Sequence, residues 1–212
     1  MIAPNHLERD FSATAPKQKW VTDITEFKAK DGSKVYLSPI LDLFNNEIVS
    51  YNLSYSPNWA QVEDMLMQAV KGLNKACGVI LHSDQGWQYQ HQYYHRFLED
   101  KGIQPSMSRK GNSPDNGMME SFFGILKSEM FYGYEKTFHS LEQLEQAIVD
   151  YIDYYNNKRI KVKLKHTKIS SEEISDGREY SLLFLYVKVE VSCEVVASFG
   201  ARHRVLKMTS LK

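Results

Sequence analysis

The first part of the chain has three short segments with the apolar pattern of β-strands. These segments are Trp20–Phe27, Lys34–Leu43 and Ile48–Leu53, and the turn residues Asp31-Gly32 and Asn45-Asn46 separate them. Short turns of this composition between strand-like runs are typical of antiparallel hairpins. The pattern therefore predicts an antiparallel meander of three strands.

A helical pattern follows the meander. Apolar residues recur every three or four positions from about Asn58 to Asn74, which predicts a helix. Val79–Ser83 is short and apolar enough for a buried parallel strand. A helix near His91–Lys101 and a strand near Ile103–Met107 come next.

Two more helices are predicted, one starting near Asp115 and one over about Leu141–Asn157. A meander followed by crossover units is typical of a mixed sheet that helices cover. We therefore expect an α/β fold built on a mixed sheet of five strands.

The composition is that of an ordinary globular protein, with 212 residues, 42% apolar and 25% charged. No stretch approaches the roughly twenty apolar residues of a membrane span, and the N-terminus lacks the pattern of a signal peptide. Cys77 and Cys193 are too few for a disulfide framework or a cysteine-based zinc site. These features predict a cytoplasmic protein without a membrane partner.

The formal net charge of zero conceals one basic segment. From Lys158 to Lys168 there are six basic residues and no acidic one. Such a segment attracts phosphate groups through counterion release, but a solvated charged edge explains the pattern equally well. The charge distribution alone leaves both interpretations open.

Three carboxylates stand at positions that require an explanation. Asp23 lies in the body of the first predicted strand, and Asp84 directly follows an apolar strand. Glu120 lies on a polar stripe of a predicted helix. Ordinary explanations exist for each of them: an exposed strand edge for Asp23, a turn with a positive φ at Gly86 for Asp84, and a solvated helix face for Glu120.

The same three carboxylates could also converge on one crevice. Asp84 stands at the carboxyl end of a parallel strand, where α/β proteins place their chemistry. Glu120 follows it with 35 residues between them. Three hard oxygen donors without nitrogen or sulfur favour Mg²⁺ or Mn²⁺ over zinc.

Around these residues the sequence resembles a known family. The matching segments are QKWVTDITEF, LHSDQGWQYQ, SMSRKGNSPDNGMMESFFGILKSEMFY and YIDYYNNKRIKVKLK, within about residues 16–165. They are similar to the catalytic core of DDE transposases and retroviral integrases, and more narrowly to transposases of bacterial insertion sequences. The resemblance implies an RNase H-like fold, with helices on both faces of the sheet, and metal-dependent DNA cleavage and strand transfer by phosphoryl transfer.

The resemblance also assigns roles to individual residues. It implies that Asp23, Asp84 and Glu120 are the catalytic residues and hold Mg²⁺ or Mn²⁺, with two ions. Asn116 fits a role behind these ligands, or else caps the helix. His82 lines the site or packs near it.

Basic residues within the matching segments are candidates for DNA contacts. Lys127 matches the family's basic residue on the catalytic helix, although by itself it reads as a solvated lysine. Arg109, Lys110, Lys158 and Arg159 are the other candidates. The implied partners are DNA, as transposon ends and target DNA, and further copies of the chain in a homo-oligomer when active.

The chain departs from this family at both ends. Members of the group carry helix-turn-helix segments ahead of the core, whereas residues 1–18 read as a linker. Residues 166–212 do not resemble the corresponding part of the family. Alternating valines from Val187 to Val195 predict a strand there, and a tail translated from a shifted or fused reading frame is the alternative interpretation. We expect a core over residues 19–165 and a divergent tail after it, in one part or a truncated copy of a transposase.

A protein without catalytic activity is the alternative to an enzyme. The complete set of carboxylates favours an enzyme, whereas the missing N-terminal segments and the altered tail favour a silent remnant that binds DNA or oligomerises. A ribonuclease acting on RNA–DNA hybrids would use similar carboxylates. The match over SMSRKGNSPDNGMMESFF disfavours that third reading.

The tail is predicted to be dispensable for folding, because the resemblance and the regular helix and strand pattern both end near Lys165. A chain ending at Lys165 should therefore melt cooperatively when circular dichroism is followed against temperature. A broad, non-cooperative melt of this shortened chain would show that the core needs the tail.

Overall fold

Residues 1–71, 73 and 78–159 are described by the computed structural model of the chain. The strands of this part are β1 (Lys19–Thr22), β2 (Thr25–Lys28), β3 (Lys34–Asp42), β4 (Glu47–Ser54), β5 (Ile80–Ser83) and β6 (Gln104–Met107). Its α-helices are α1 (Trp59–Val70), α2 (Gln92–Lys101), α3 (Gly117–Leu126) and α4 (Leu141–Asn157). A 3₁₀ turn over Ser113–Asn116 precedes α3, and a π-helical turn over Lys127–Phe131 follows it.

The strand β1 lies at the centre of the sheet. It pairs antiparallel with β3 on one side and parallel with β5 on the other, and β6 pairs parallel with β5. β4 pairs antiparallel with the far side of β3, and β2 continues along β3 after β1 ends. This arrangement confirms the predicted mixed sheet, in which a meander comes first and parallel crossover strands follow.

The predicted first strand is interrupted at Asp23 and Ile24, so that it forms two segments, β1 and β2. Both segments keep one register against β3, and this register puts Asp23 opposite Pro39. Proline has no N–H for the ladder, and the Asp23 carboxylate accepts a hydrogen bond from Ile24 N at 2.7 Å. Asp23 therefore lies in a break of the strand, and its predicted place in the body of a strand is corrected.

Helices cover both faces of the sheet, as predicted. Trp20 and Leu81 belong to one buried apolar cluster with side chains of α1 and α2. Val21 and Leu41 belong to a second cluster with side chains of α3 and α4. Successive strand residues point to opposite faces, so neighbouring residues of β1 help to build both cores.

The helix boundaries are close to the predicted ones. α4 has the predicted bounds, and α1 begins after Asn58, whose side chain accepts a hydrogen bond from Gln61 N at 3.0 Å. This contact is a standard helix N-cap. The helix predicted to start near Asp115 begins as a 3₁₀ turn, and the predicted end of the first helix at Asn74 lies outside the described residues.

Residues 1–18, predicted to be a linker, contain no helix or strand. They nevertheless pack on the core, since Ala3 and Leu7 are buried in its apolar clusters. The tail and its predicted strand over residues 187–195 lie outside the described residues. No α-helix within the described residues has the length and apolar character needed to span a bilayer.

Candidate active site

The register between β1 and β5 sets Asp23 beside Asp84. These strands run parallel, and Val21 is the partner of His82. Carried two residues further, the same register makes Asp23 the neighbour of Asp84 at the carboxyl ends of both strands. This edge is the location that α/β proteins use for their chemistry, and both aspartates are partly buried there.

The environment of Asp23 disfavours its charged form. Burial raises the pKa of the Asp23 carboxyl from 3.8 to about 7, and the charges of Asp84 and Glu120 add to the rise. Hydrogen bonds from Ile24 N and from the Asn116 side chain act in the opposite direction. Asp84 and Glu120 are therefore both within electrostatic reach of Asp23, whose surroundings are partly desolvated.

Asp84 is oriented by the turn that follows it. Its Oδ1 accepts a hydrogen bond from Gly86 N at 2.8 Å, so the expected turn forms. The expected positive φ at Gly86 is wrong. Space is limited there, because a Cβ would lie 2.9 Å from Asp84 Oδ1 and 2.5 Å from Gln88 Nε2, so that these side chains would have to move.

Glu120 lies in the first turn of α3, and its side chain is exposed. Its charge contributes to the raised pKa of Asp23, so the helix presents it toward the aspartate pair. Within the described part of the chain, no group of three His, Cys, Asp or Glu side chains already has the arrangement of a metal cage. The three side chains fit Mg²⁺ or Mn²⁺ by their chemistry, since all are carboxylates and the charges of Asp84 and Glu120 raise the pKa of Asp23.

The structure places Asn116 next to Asp23. It is buried, and its Nδ2 donates a hydrogen bond to Asp23 Oδ2 at 3.1 Å. It occupies the N-cap position of α3, but its side chain makes no capping hydrogen bond. The alternative capping role is therefore not observed, and the side chain fixes one oxygen of Asp23.

His82 packs behind the aspartates. Its side chain is fully buried, and Nδ1 lies 2.8 Å from Ser106 Oγ. Burial lowers the pKa of His82 to about 4. Of the two roles considered for this residue, packing near the site agrees with these contacts.

Two of the predicted DNA-contacting arginines already pair with carboxylates. Arg109 donates from Nε and from one terminal nitrogen to Asp115, each at 2.9 Å. Arg159 donates to Glu129, with the shortest contact at 2.9 Å. Their positive charges are therefore partly compensated within the chain.

The three predicted lysines differ in their surroundings. Lys110 and Lys158 are exposed. Lys127 is half-buried, with Nζ 5.3 Å from the centroid of the Phe27 ring. Burial lowers the pKa of this lysine, which indicates an ammonium group that has lost part of its hydration.

Sequence reasoning missed two groups that support the site. Thr22 Oγ1 donates to Pro39 O at 2.8 Å and lies 3.5 Å from the hydroxyl of the fully buried Tyr89. Burial, with the nearby charge of Asp23, raises the pKa of Tyr89. Strand alternation could have predicted the position of Thr22, because successive residues point to opposite faces of the sheet and the Thr22 side chain therefore points away from that of Asp23.

The second missed group is Asp115, whose side chain has no exposed surface. It accepts hydrogen bonds from Asn5, Arg9 and Arg109. The Arg109 guanidinium holds the pKa of Asp115 well below its ordinary value. A buried carboxylate is stable in such a position because charged donors surround it.

Comparison with known proteins extends these observations. Family models described as integrase core domain match residues 13–113 and 120–174. An uncharacterised transposase-like protein of Haemophilus influenzae is 59% identical over 164 residues, which cover 77% of this chain and 74% of that protein. InsK of insertion sequence element IS150 in Escherichia coli is 56% identical over 163 residues, but the chain spans only 56% of its length.

Solved structures show the same fold. A chain of the simian T-cell lymphotropic virus intasome superposes with a TM-score of 0.62 at 19% identity, over 78% of this chain and 56% of that one. The HTLV-2 integrase catalytic core in complex with magnesium has a TM-score of 0.55, also at 19% identity, over 71% of this chain and 93% of that one. The fold is thus that of retroviral integrase cores, which is RNase H-like, and the sequence relatives place the chain within the integrase-core family of insertion-sequence transposases.

Proposed function

We propose that the chain cleaves and joins DNA strands by metal-dependent phosphoryl transfer at a site formed by Asp23, Asp84 and Glu120. The observation that carries this proposal is the strand register that sets Asp23 beside Asp84, together with the raised pKa of Asp23. A partly buried concentration of carboxylates favours a divalent cation, which would neutralise their repulsion. Membership of a family of transposases and integrases supports the type of reaction.

The proposed cofactor is Mg²⁺ or Mn²⁺, with two ions as the family resemblance implies. When bound, the cation supplies Lewis-acid stabilisation of the charge that develops on the phosphoryl oxygens. Asp23, Asp84 and Glu120 hold it, while Asn116 and the Gly86 N–H each fix one carboxylate oxygen through a hydrogen bond. The magnesium in the HTLV-2 integrase core, a protein of the same fold, supports this choice of ion.

The proposed DNA contacts are made by basic side chains near and beyond the site. Lys110 and Lys158 are exposed, and Lys127 lies two turns after Glu120 on the helical segment that begins with α3. Arg109 and Arg159 are weaker candidates, because both already pair with carboxylates. Transposon ends, target DNA and further copies of the chain are the proposed partners.

The direct test is incubation of the purified chain with labelled linear duplex DNA and a DNA hairpin. Nicking or joining is expected with Mn²⁺ and is expected to stop when EDTA is added. If the chain binds DNA but cleaves neither substrate with Mn²⁺, the proposed enzymatic activity is contradicted. That result would favour the alternative of a catalytically silent remnant that binds DNA.

Replacing Glu120 by glutamine should separate a metal ligand from a solvated helix residue. Glu120→Gln keeps the shape and removes one repelling charge, so little loss or a small gain of thermal stability is expected without metal. Added Mn²⁺ should raise the Tm of the unmodified chain by mass action and that of the variant much less. The same variant should lose nicking and joining activity.

Glu99→Gln is the matched control, because Glu99 is also an exposed glutamate on a helix, α2. It should respond to Mn²⁺ like the unmodified chain. An equal rise of Tm with Mn²⁺ in Glu120→Gln and in Glu99→Gln would refute the metal-ligand role of Glu120.

Gly86→Ala should disturb Asp84 directly, because the added Cβ would meet Asp84 Oδ1 at 2.9 Å. The expected loss of stability is about 1–3 kcal/mol, as for overpacking elsewhere, and the cleavage rate should fall at least about tenfold because a ligand is displaced. Gly124→Ala is the control for stability, since nothing lies within 4 Å of the Cβ position there. Denaturant unfolding measures the loss of stability, and nicking rates measure the loss of activity. A nicking rate of Gly86→Ala equal to that of the unmodified chain would show that Asp84 tolerates the crowding.

The raised pKa of Asp23 predicts how stability depends on pH without divalent cations. Because the folded state favours protonated Asp23, its contribution to stability is present below about pH 4 and is lost as pH rises toward 7. The loss amounts to at most about 4 kcal/mol. In urea unfolding with EDTA, Asp23→Asn should remove this fall in the free energy of unfolding between about pH 4 and 7. Asp64→Asn, on the exposed side of α1, should keep the fall. The same pH dependence in both variants would be inconsistent with the prediction.

A further inference from the structure

The segment that precedes the family match packs closely against the core. Residues 1–11, here called the N-terminal strap, end before the match to the integrase core domain begins at residue 13. The strap follows the outer edge of β6: Met107 N donates to Pro4 O at 3.2 Å, and Ser106 Oγ accepts from His6 N at 2.9 Å. It therefore covers an edge strand whose backbone groups would otherwise lack partners in the sheet.

The strap is attached, through Asp115, to the 3₁₀ turn that precedes α3. Arg9 Nε donates to Asp115 Oδ1 at 2.7 Å, and Asn5 Nδ2 donates to Asp115 Oδ2 at 3.2 Å. A terminal nitrogen of Arg9 also reaches Asn112 Oδ1 at 2.9 Å. These contacts join residues separated by more than one hundred positions in the sequence, and all of them end on the turn that leads into α3.

The backbone of the strap also indicates that contacts with the core hold it in place. Glu8 and Arg9 have φ angles of 48° and 63°, in the left-handed region that residues other than glycine rarely adopt. Such strain persists where surrounding contacts hold it in place. The ion pair between Arg9 and the fully buried Asp115 is one of the contacts that hold this strained turn, together with the hydrogen bond that Glu8 N donates to Asn5 Oδ1.

Asp115 connects these contacts to the site. The next residue, Asn116, donates to Asp23 Oδ2, and Glu120 follows one turn later on α3. A displacement of Asp115 would move the amide that fixes Asp23 and the start of the helix that carries Glu120. The chain of contacts from Arg9 to Asp23 thus runs through two adjacent residues.

We propose that the N-terminal strap and Asp115 form a positioning device for the carboxylate site, in which Arg9 and Arg109 hold Asp115 and thereby hold Asn116 against Asp23. Asp115 is a positioning residue, because it acts through Asn116. The catalytic consequence rests on the proposed function, whereas the structural coupling does not.

The test compares Arg9→Ala with Asp10→Asn in the full chain. Asp10 is the matched control, because it belongs to the same strap and forms an ion pair of 2.7 Å with Lys19 that does not involve Asp115. Without metal or DNA, the side-chain amide resonance of Asn116 in ¹⁵N-labelled protein should shift or broaden in Arg9→Ala and stay unchanged in Asp10→Asn. Arg9→Lys, which keeps the charge, should restore the resonance in part.

Activity supplies a second readout. With Mn²⁺, Arg9→Ala should lower kcat for nicking about tenfold, as expected when a ligand is misplaced, while KM for DNA changes less than about twofold because the strap is not a proposed DNA contact. Both variants should keep cooperative melts. A merely structural role for Arg9 would lower Tm and leave kcat of the folded protein unchanged.

The outcomes distinguish this proposal from the proposed function. An Asn116 resonance that does not respond to Arg9→Ala, or a kcat equal to that of Asp10→Asn, overturns the positioning device. If the unmodified chain does not cleave DNA, the proposed function fails, and the Asn116 resonance alone then decides whether the strap positions the site.

Discussion

The parallel register between β1 and β5 is the constraint on which the site depends. Because Val21 is the partner of His82, Asp23 and Asp84 leave the sheet side by side. The register therefore sets two carboxylates side by side at the edge of the central strands, where burial and, to a smaller extent, the charge of Asp84 raise the pKa of Asp23. Burial of both faces of β1 holds the register, since a slip by one residue would turn Trp20 and its neighbours to the wrong faces. Apolar packing on the two sides of the sheet thus stabilises the register that keeps Asp23 beside Asp84 despite their repulsion.

The break at Asp23 shows how the sheet accommodates a carboxylate near its centre. Pro39, opposite Asp23, offers no N–H to the ladder, and its carbonyl accepts the hydroxyl of Thr22. The backbone at Asp23 can therefore leave the strand without orphaning a donor on β3. The side chain then accepts hydrogen bonds from Ile24 N and Asn116 Nδ2. Pro39 thus allows a carboxylate to stand at a position from which a continuous ladder would exclude it.

The local pattern of the sequence was sufficient for the elements, but not for the contacts between them. Strand alternation, helical periodicity and turn residues predicted the meander, the crossover strands and the bounds of α4, because each of these depends on neighbouring residues. The partner of Asn116, the buried environment of Asp115 and the packing of the strap depend on residues that are distant in the sequence. Pro39 within a predicted strand was the one local sign that the ladder opposite it would be interrupted. The role of Gly86 was mistaken for the same reason, since its crowding by Gln88 arises only in the folded chain.

In the described part of the chain, Arg9 and Arg109 pair with Asp115, and neither Asp23 nor Asp84 forms an ion pair. The hydrogen bonds described for Asp23 and Asp84 come from neutral donors: two backbone N–H groups and the Asn116 amide. An arginine at either position would lower the pKa of the carboxylate and stabilise the empty site, but it would also compete with a cation for the same oxygens. Arg9 and Arg109 are instead paired with Asp115, next to Asn116. The ion pairs of Asp115 therefore hold the neutral Asn116 amide in place. The oxygens of Asp23 and Asp84 pair with no positive side chain in the described residues, which leaves them available to a divalent cation.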